Sequence, residues 1–175
     1  MNRNLKLLGL FVGAAVIGHV ALVLAVPNVL MGVAMDRMSD GGTAINRFQF
    51  GDRTTEKSRR VVRPSPDLAY SSCVYDLSDG PLLVTAAPSP GQGYVSLSVF
   101  AANTDNIAAL ESSKYPQGIR FVLAMKGQAA PAGERVIESP SARGIILDRR
   151  LAPTAEKFAE VDQARRADSC APLAG

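Results

Sequence analysis

GYVSLSVF, Gly93–Phe100, alternates without a break. Val95, Leu97 and Val99 fall on one face, and Tyr94, Ser96, Ser98 and Phe100 on the other. A period of two over this length is the pattern of a half-buried β-strand. On both sides the chain repeats the theme. PLLVTA (81–86), IRFVLAM (119–125), ERVIES (134–139) and RGIILDR (143–149) are short apolar runs rich in Val and Ile. Pro- and Gly-bearing turn signals separate them at 78–80, 88–91, 115–118 and 131–133, and Asn103-Thr104-Asp105-Asn106 reads as a polar turn. Short strands so spaced predict a mostly β domain, an antiparallel sandwich. One C-terminal helix follows. Thr154 is placed to cap it, Glu156 lies in its first turn, and Phe158, Val161 and Ala164 or Arg165 are spaced for one face.

Upstream lies RPSPDLAYSSCVYDLSDGPLLV, Arg63–Val84. Each proline disfavours helix in the residue before it, so Arg63–Pro66 is an extended lead-in. Leu68–Leu77 then reads as a strand and Ser78–Pro81 as a turn. The stretch holds Cys73, one of only two cysteines; the other is Cys170. In an oxidising compartment this pair predicts one disulfide, the alternative being two buried thiols. Arg63, Asp67 and Tyr70 are the residues here most able to form a ligand or catalytic site. The competing reading is a structural seam, and it is the better supported.

The N-terminus differs in kind. LLGLFVGAAVIGHVALVLAV, Leu7–Val26, is apolar except for His19. At about 1.5 Å per residue it covers a hydrocarbon core of roughly 30 Å. It exceeds the hydrophobic stretch of a cleaved signal peptide, so residues 1–35 read as an uncleaved membrane anchor. Arg3 and Lys6 precede it, which predicts a cytoplasmic N-terminus and a translocated C-terminal domain at 63–175. Between them, 36–62 reads as a basic, solvated linker wrapping onto the domain, with Phe48 and Phe50 as docking points, the alternative being contact with anionic lipid heads or an acidic partner. Pro27 is expected to kink or end the helix. Without Arg3 and Lys6 the chain has 17 basic and 16 acidic residues. The pI near 9.1 is therefore no sign of nucleic-acid binding.

Gly9 and Gly13 form a GxxxG, and Ala14, Gly18, Ala21 and Ala25 form a small-residue stripe that lets helices approach closely. His19 is the only histidine. A histidine in a membrane span is a functional hypothesis, with hydrogen bonding to a neighbouring helix ahead of pigment or haem ligation. Its position leaves the domain without a His-based triad, a His general base or a His-containing zinc site. No metal or cofactor is expected.

Arg63-Pro64-Ser65-Pro66-Asp67, Tyr70-Ser71, Asp76-Leu77-Ser78 and Gly80-Pro81 resemble the bacterial envelope family of domain-of-unknown-function number 1254. The likeness continues in Tyr94–Leu97, Asn103–Asn106, Ser139-Pro140 and Arg143-Gly144. With Cys73, Cys170 and the helix between Phe158 and Ala167, the chain looks like a short, membrane-anchored branch. Longer members read Asn-Pro-Asp-Thr-Leu-Tyr where this chain has Ser65-Pro66-Asp67-Leu68-Ala69-Tyr70, and they carry a second β domain. The resemblance implies a β-rich sandwich and no particular reaction.

Two functions follow as expectations. The first is a non-enzymatic accessory or assembly subunit that meets other membrane proteins, or a second copy of itself, through its helix and domain surface. The second is a small-ligand-binding domain or carboxylate-dependent enzyme centred on Asp67, Tyr70 and Arg63.

Overall fold

A computed structural model describes residues 2–59 and 63–173. Among them run α1 (Arg3–Met38), β1 (Phe48–Phe50), β2 (Leu68–Asp76), β3 (Leu82–Ala86), a 3-10 turn (Pro90–Gln92), β4 (Val95–Ala101), β5 (Asn106–Glu111), β6 (Ile119–Met125), β7 (Val136–Ser139), β8 (Arg143–Leu151), α2 (Ala155–Arg165) and β9 (Ser169–Pro172). The strands form one sheet of order β1-β2-β8-β4-β5 and another of order β7-β6-β3-β9. Every pairing is antiparallel except β6 with β7, so the second sheet is mixed.

Side-chain alternation makes the core. From the first sheet Cys73, Tyr75, Leu97, Val99 and Ile146 point inward; from the second come Leu82, Val84, Ile119, Phe121 and Leu123. The valines of the Gly93–Phe100 run therefore face the sheet-to-sheet interior, as their period demands. Tyr75 is the largest aromatic there, and its room is made by Gly144, its cross-strand partner. A Cβ on Gly144 would stand 2.1 Å from the Phe100 carbonyl oxygen and 2.3 Å from the Tyr75 hydroxyl. That hydroxyl donates to the Phe100 carbonyl at 3.0 Å and meets Ser139 Oγ at 3.0 Å. Burial raises the Tyr75 pKa.

Helix α1 runs through Pro27 without ending there. A proline removes one hydrogen bond, but the helix continues on both sides, and the Asn28 side chain donates to the Leu24 carbonyl at 3.1 Å. Only the far end of α1 touches the domain. Met31 and Met35 are buried against Val74 and Ile145 on the outer face of the first sheet, with Ala34, Met38, Ile45 and Phe100 around them.

The stretch read as a linker is integrated into the domain up to Gly51. Ser39 Oγ donates to the Met35 carbonyl at 2.7 Å and accepts from the Gly42 amide at 3.0 Å, closing the helix end. Asn46 brackets Asp76, donating to its carbonyl at 2.9 Å and accepting from its amide at 2.7 Å. Phe48 and Phe50 then form β1, opposite Cys73 and Ser71, with Phe48 in the core. Residues 60–62 of that stretch lie outside the described residues.

Candidate functional site

The most elaborate polar arrangement lies where α2 closes one end of the sandwich. β8 keeps its parity past Ile146, so Asp148 and Arg150 also point inward, and both side chains are fully buried. A buried charge persists only when paired. Arg150 Nε donates to Asp148 at 2.9 Å, and Arg150 Nη2 makes a fork to both oxygens of Asp168 at 2.9 and 2.8 Å. Asp168 also accepts from the Ala87 amide at 2.8 Å. The chain of charges thus runs from the first sheet to the start of β9 in the second. Two residues on, Cys170 makes a disulfide with Cys73. A covalent and an ionic tie span the two sheets side by side.

Burial raises the pKa of Asp148, against the pull of Arg150. Burial likewise raises Asp168 to about 7, again against Arg150 and helped by the charge of Asp148. Asp148 Oδ1 and Arg150 Nη1 are buried without a hydrogen-bond partner among the described residues.

Arg165, at the end of α2, is the second buried cation of this end. Its Nη1 donates to the Tyr70 carbonyl at 2.6 Å and its Nη2 to the Gly51 carbonyl at 2.6 Å. It also pairs with Asp162 and lies 5.3 Å from the Phe158 ring centre and 5.7 Å from that of Phe50. Burial alone would raise Asp162, but hydrogen bonds from Arg165 and Arg166 outweigh it and hold the carboxyl below its ordinary range. Helix α2 starts as its sequence indicates, with Thr154 Oγ1 accepting from the Lys157 amide at 3.1 Å. Val161 seats it on Ala69 and Ala152.

The sequence-based candidates fall elsewhere. Arg63 and Asp67 are both exposed. The Tyr70 hydroxyl accepts from the Ser65 amide at 2.9 Å, which ties the Pro-rich lead-in to β2. None of the three lines either of the hollows described below. Gly9, Gly13, Ala14, Gly18, Ala21, Ala25 and His19 are exposed along α1. Asn103 and Asp105 form a local turn, with the Asp105 amide donating to Asn103 Oδ1 at 3.2 Å. No cluster of three or more His, Cys, Asp or Glu suited to a metal occurs among the described residues.

Arg165 falls on the helix face that its spacing from Phe158 and Val161 indicates, whereas Asp148 and Arg150 are not marked by any motif. The available signal was parity: residues two and four beyond Ile146 share its face. The described residues also border hollows at two places. One of about 220 Å³ lies between the end of α1 and Arg143. The other, of about 140 Å³, is bordered by Asn46, Asp76, Asp79 and Pro172.

No curated protein matches the chain. Among solved structures, the crystal structure of the VPA0106 protein from Vibrio parahaemolyticus superposes with a TM-score of 0.61 at 16% identity, over 88% of this chain and 38% of that one. An uncharacterised protein from Burkholderia cenocepacia gives 0.46 at 15% identity, over 73% and 36%. The first likeness is one of fold, and this chain spans well under half the length of either protein. The sequence model of the family described as "Protein of unknown function (DUF1254)" matches residues 45–172, from the loop before β1 to the last residue of β9, so this chain belongs to that family.

Proposed function

We propose that this protein is a membrane-anchored accessory or assembly subunit of the bacterial envelope, a short anchored member of its family. The N-terminus is cytoplasmic and the β-sandwich periplasmic. It acts by binding other membrane proteins, or a second copy, and not by catalysis. One observation carries the reading. Apart from Tyr94, Val136 and Leu151, every large exposed apolar side chain among the described residues lies on α1, from Leu5 to Val33. The most apolar window of that helix has none of its residues buried against the domain. An apolar patch of that extent calls for lipid or a partner.

The docked end supports the same reading. A tether that only held the domain near a bilayer would need no packing. Here Met31 and Met35 join helix and sheet, so a partner bound along α1 would also meet a fixed face of the domain. The rival reading, a ligand or catalytic site at Asp67, Tyr70 and Arg63, is weakened because Arg63 and Asp67 are exposed without lining either hollow and because the Tyr70 hydroxyl is engaged. The test is photocrosslinking in native membranes, with the photoreactive residue at Gly18 or Ala21 on the small-residue stripe and at Val16 or Val23 on the opposite face of the helix. A discrete protein adduct from some positions and not others is expected. Lipid adducts alone from all four would refute a helix-borne partner.

A further inference from the structure

The hollow beside Arg143 lies where the apolar surface of α1 stops. Val29 and Leu30 are 62% and 60% exposed and Val33 is 45% exposed; beyond Val33 the exposed residues of the helix are Asp36 and Arg37. One wall is the helix itself, through Gly32, Met35 and Asp36. The opposite side is the turn Gly41-Gly42, with Arg143 from the start of β8 alongside. If α1 spans a bilayer with its exposed apolar surface immersed as far as Val33, this hollow sits at the headgroup layer, which adds some 5–7 Å on each side of the hydrocarbon.

Its chemistry is mixed. Arg143 is half-exposed, and its ion pair with Asp76 uses Nε at a loose 3.5 Å. No hydrogen bond among the described residues engages its terminal nitrogens. A guanidinium so placed suits a phosphodiester. Asp36, on the facing wall, carries the opposite charge and would repel a purely anionic group. Glycines keep both sides open: a Cβ at Gly32, Gly41 or Gly42 would meet nothing within 4 Å. Gly41 and Gly42 have φ of 67° and 87°, a backbone that favours glycine.

We infer that this hollow binds the zwitterionic headgroup of an aminophospholipid, the phosphate on Arg143 and the ammonium on Asp36, at the outer surface of the membrane. The inference rests on the reading of α1 as a membrane span. The bound lipid would pack one chain along α1 and fix the height of the domain above the bilayer.

The test uses the full chain in detergent, titrated with phosphatidylethanolamine, phosphatidylglycerol and phosphatidylcholine of matched chains and read by native mass spectrometry. One phosphatidylethanolamine per chain is expected, retained about tenfold more tightly than the other two, as one charge-assisted hydrogen bond warrants. Arg143→Gln should lose that retention. Gly32→Leu should lose it by filling the hollow, and the open space beside Gly32 lets the fold persist, which circular dichroism and the intact disulfide report. Asp36→Asn should level phosphatidylethanolamine with phosphatidylglycerol. Equal retention of the three lipids, or full retention by Arg143→Gln, overturns the inference. So does soluble glycerophosphoethanolamine competing as well as the lipid. Carbonate extraction of membranes reads α1 insertion separately: a chain that resists extraction yet shows no lipid preference refutes the headgroup site alone, whereas an extractable chain refutes the membrane span itself.

Discussion

Gly144 and Asp168 show how single residues hold this domain together. Gly144 is the position where β8 must let Tyr75 cross to the Phe100 carbonyl, so the missing Cβ is a steric requirement. Gly144→Ala should destabilise the fold by about 3 kcal/mol or more, at the upper end of overpacking effects, because two of the three close atoms belong to a buried ring and the third to a strand backbone. A denaturant midpoint unchanged from wild type would show that β4 and β8 can part at no cost. Asp168 makes the opposite case, in which a residue is tolerated at a cost. Its pKa is raised to about 7 in the fold, against about 3.9 in an unfolded chain. Between those values the unfolded state holds fewer protons, so stability falls as pH rises, by at most about 1.4 kcal/mol per pH unit. The lowered carboxylates Asp76, Glu134, Glu156 and Asp162 act the other way, and lose their contribution only as pH drops below the ordinary carboxylate range. The domain should therefore be more stable at pH 5 than at pH 8, and Asp168→Asn should flatten that slope. A wild-type melting temperature that climbs from pH 5 to pH 8 would contradict this assignment.

At the scale of elements, α2 acts as a lid on the open end of the sandwich, and Arg165 is its latch. Removing the guanidinium would leave the Asp162 carboxylate short of a partner and two backbone carbonyls, of Gly51 and Tyr70, without their donor. Arg165→Ala should cost about 2–4 kcal/mol, chiefly from the two carbonyls left without a donor, since Asp162 keeps its bonds to Arg166. It should also free β1, a three-residue strand held at the sheet edge. Limited proteolysis is the readout: new cleavage within 51–59 is expected before the core is cut, and simultaneous loss of all fragments would mean that β1 and the core are one cooperative unit. This element also marks what could be read from sequence. The helix was legible because its cap, Thr154, and its seating residues, Phe158 and Val161, are local signals. β2, β3, β4, β6, β7 and β8 were legible from apolar runs, β6 to the residue and the others with ends within two residues. β5 was not: NIAALE has one β-branched residue and two alanines, and a register shift between Val99 and Phe100 interrupts its pairing with β4. β1 and β9 are too short for a period to show. The buried charges were missed for a different reason. Asp148-Arg149-Arg150 looks like the wet end of a strand, and only its distant partner Asp168 makes inward placement affordable.

At the scale of the whole molecule, two separate apolar clusters lie on opposite faces of the first sheet, and they make a prediction about independence. The sandwich core is closed between the sheets and tied by Cys73–Cys170, which closes a loop spanning 97 positions and so stabilises by about 4–5 kcal/mol in the chain-entropy model. The docking cluster of Met31, Met35, Val74 and Ile145 lies outside that closure. Met31→Ala with Met35→Ala should therefore undock α1 without unfolding the sandwich. Each truncation removes contacts worth roughly 2–5 kcal/mol in a closed core, and less at a joint that can separate. Amide hydrogen exchange on the full chain in nanodiscs distinguishes the outcomes. Exchange should rise at Ala44 and Asn46, whose amides donate to the Ser39 and Val74 carbonyls, while β3, β6 and β9 keep their protection. Cys73→Ser with Cys170→Ser should give the reverse, with loss of protection in β9 and β3 and little change at Ala44 and Asn46. If either double variant loosened both regions together, helix and sandwich would form a single folding unit, and α1 would be part of the domain's core, beyond a docked anchor.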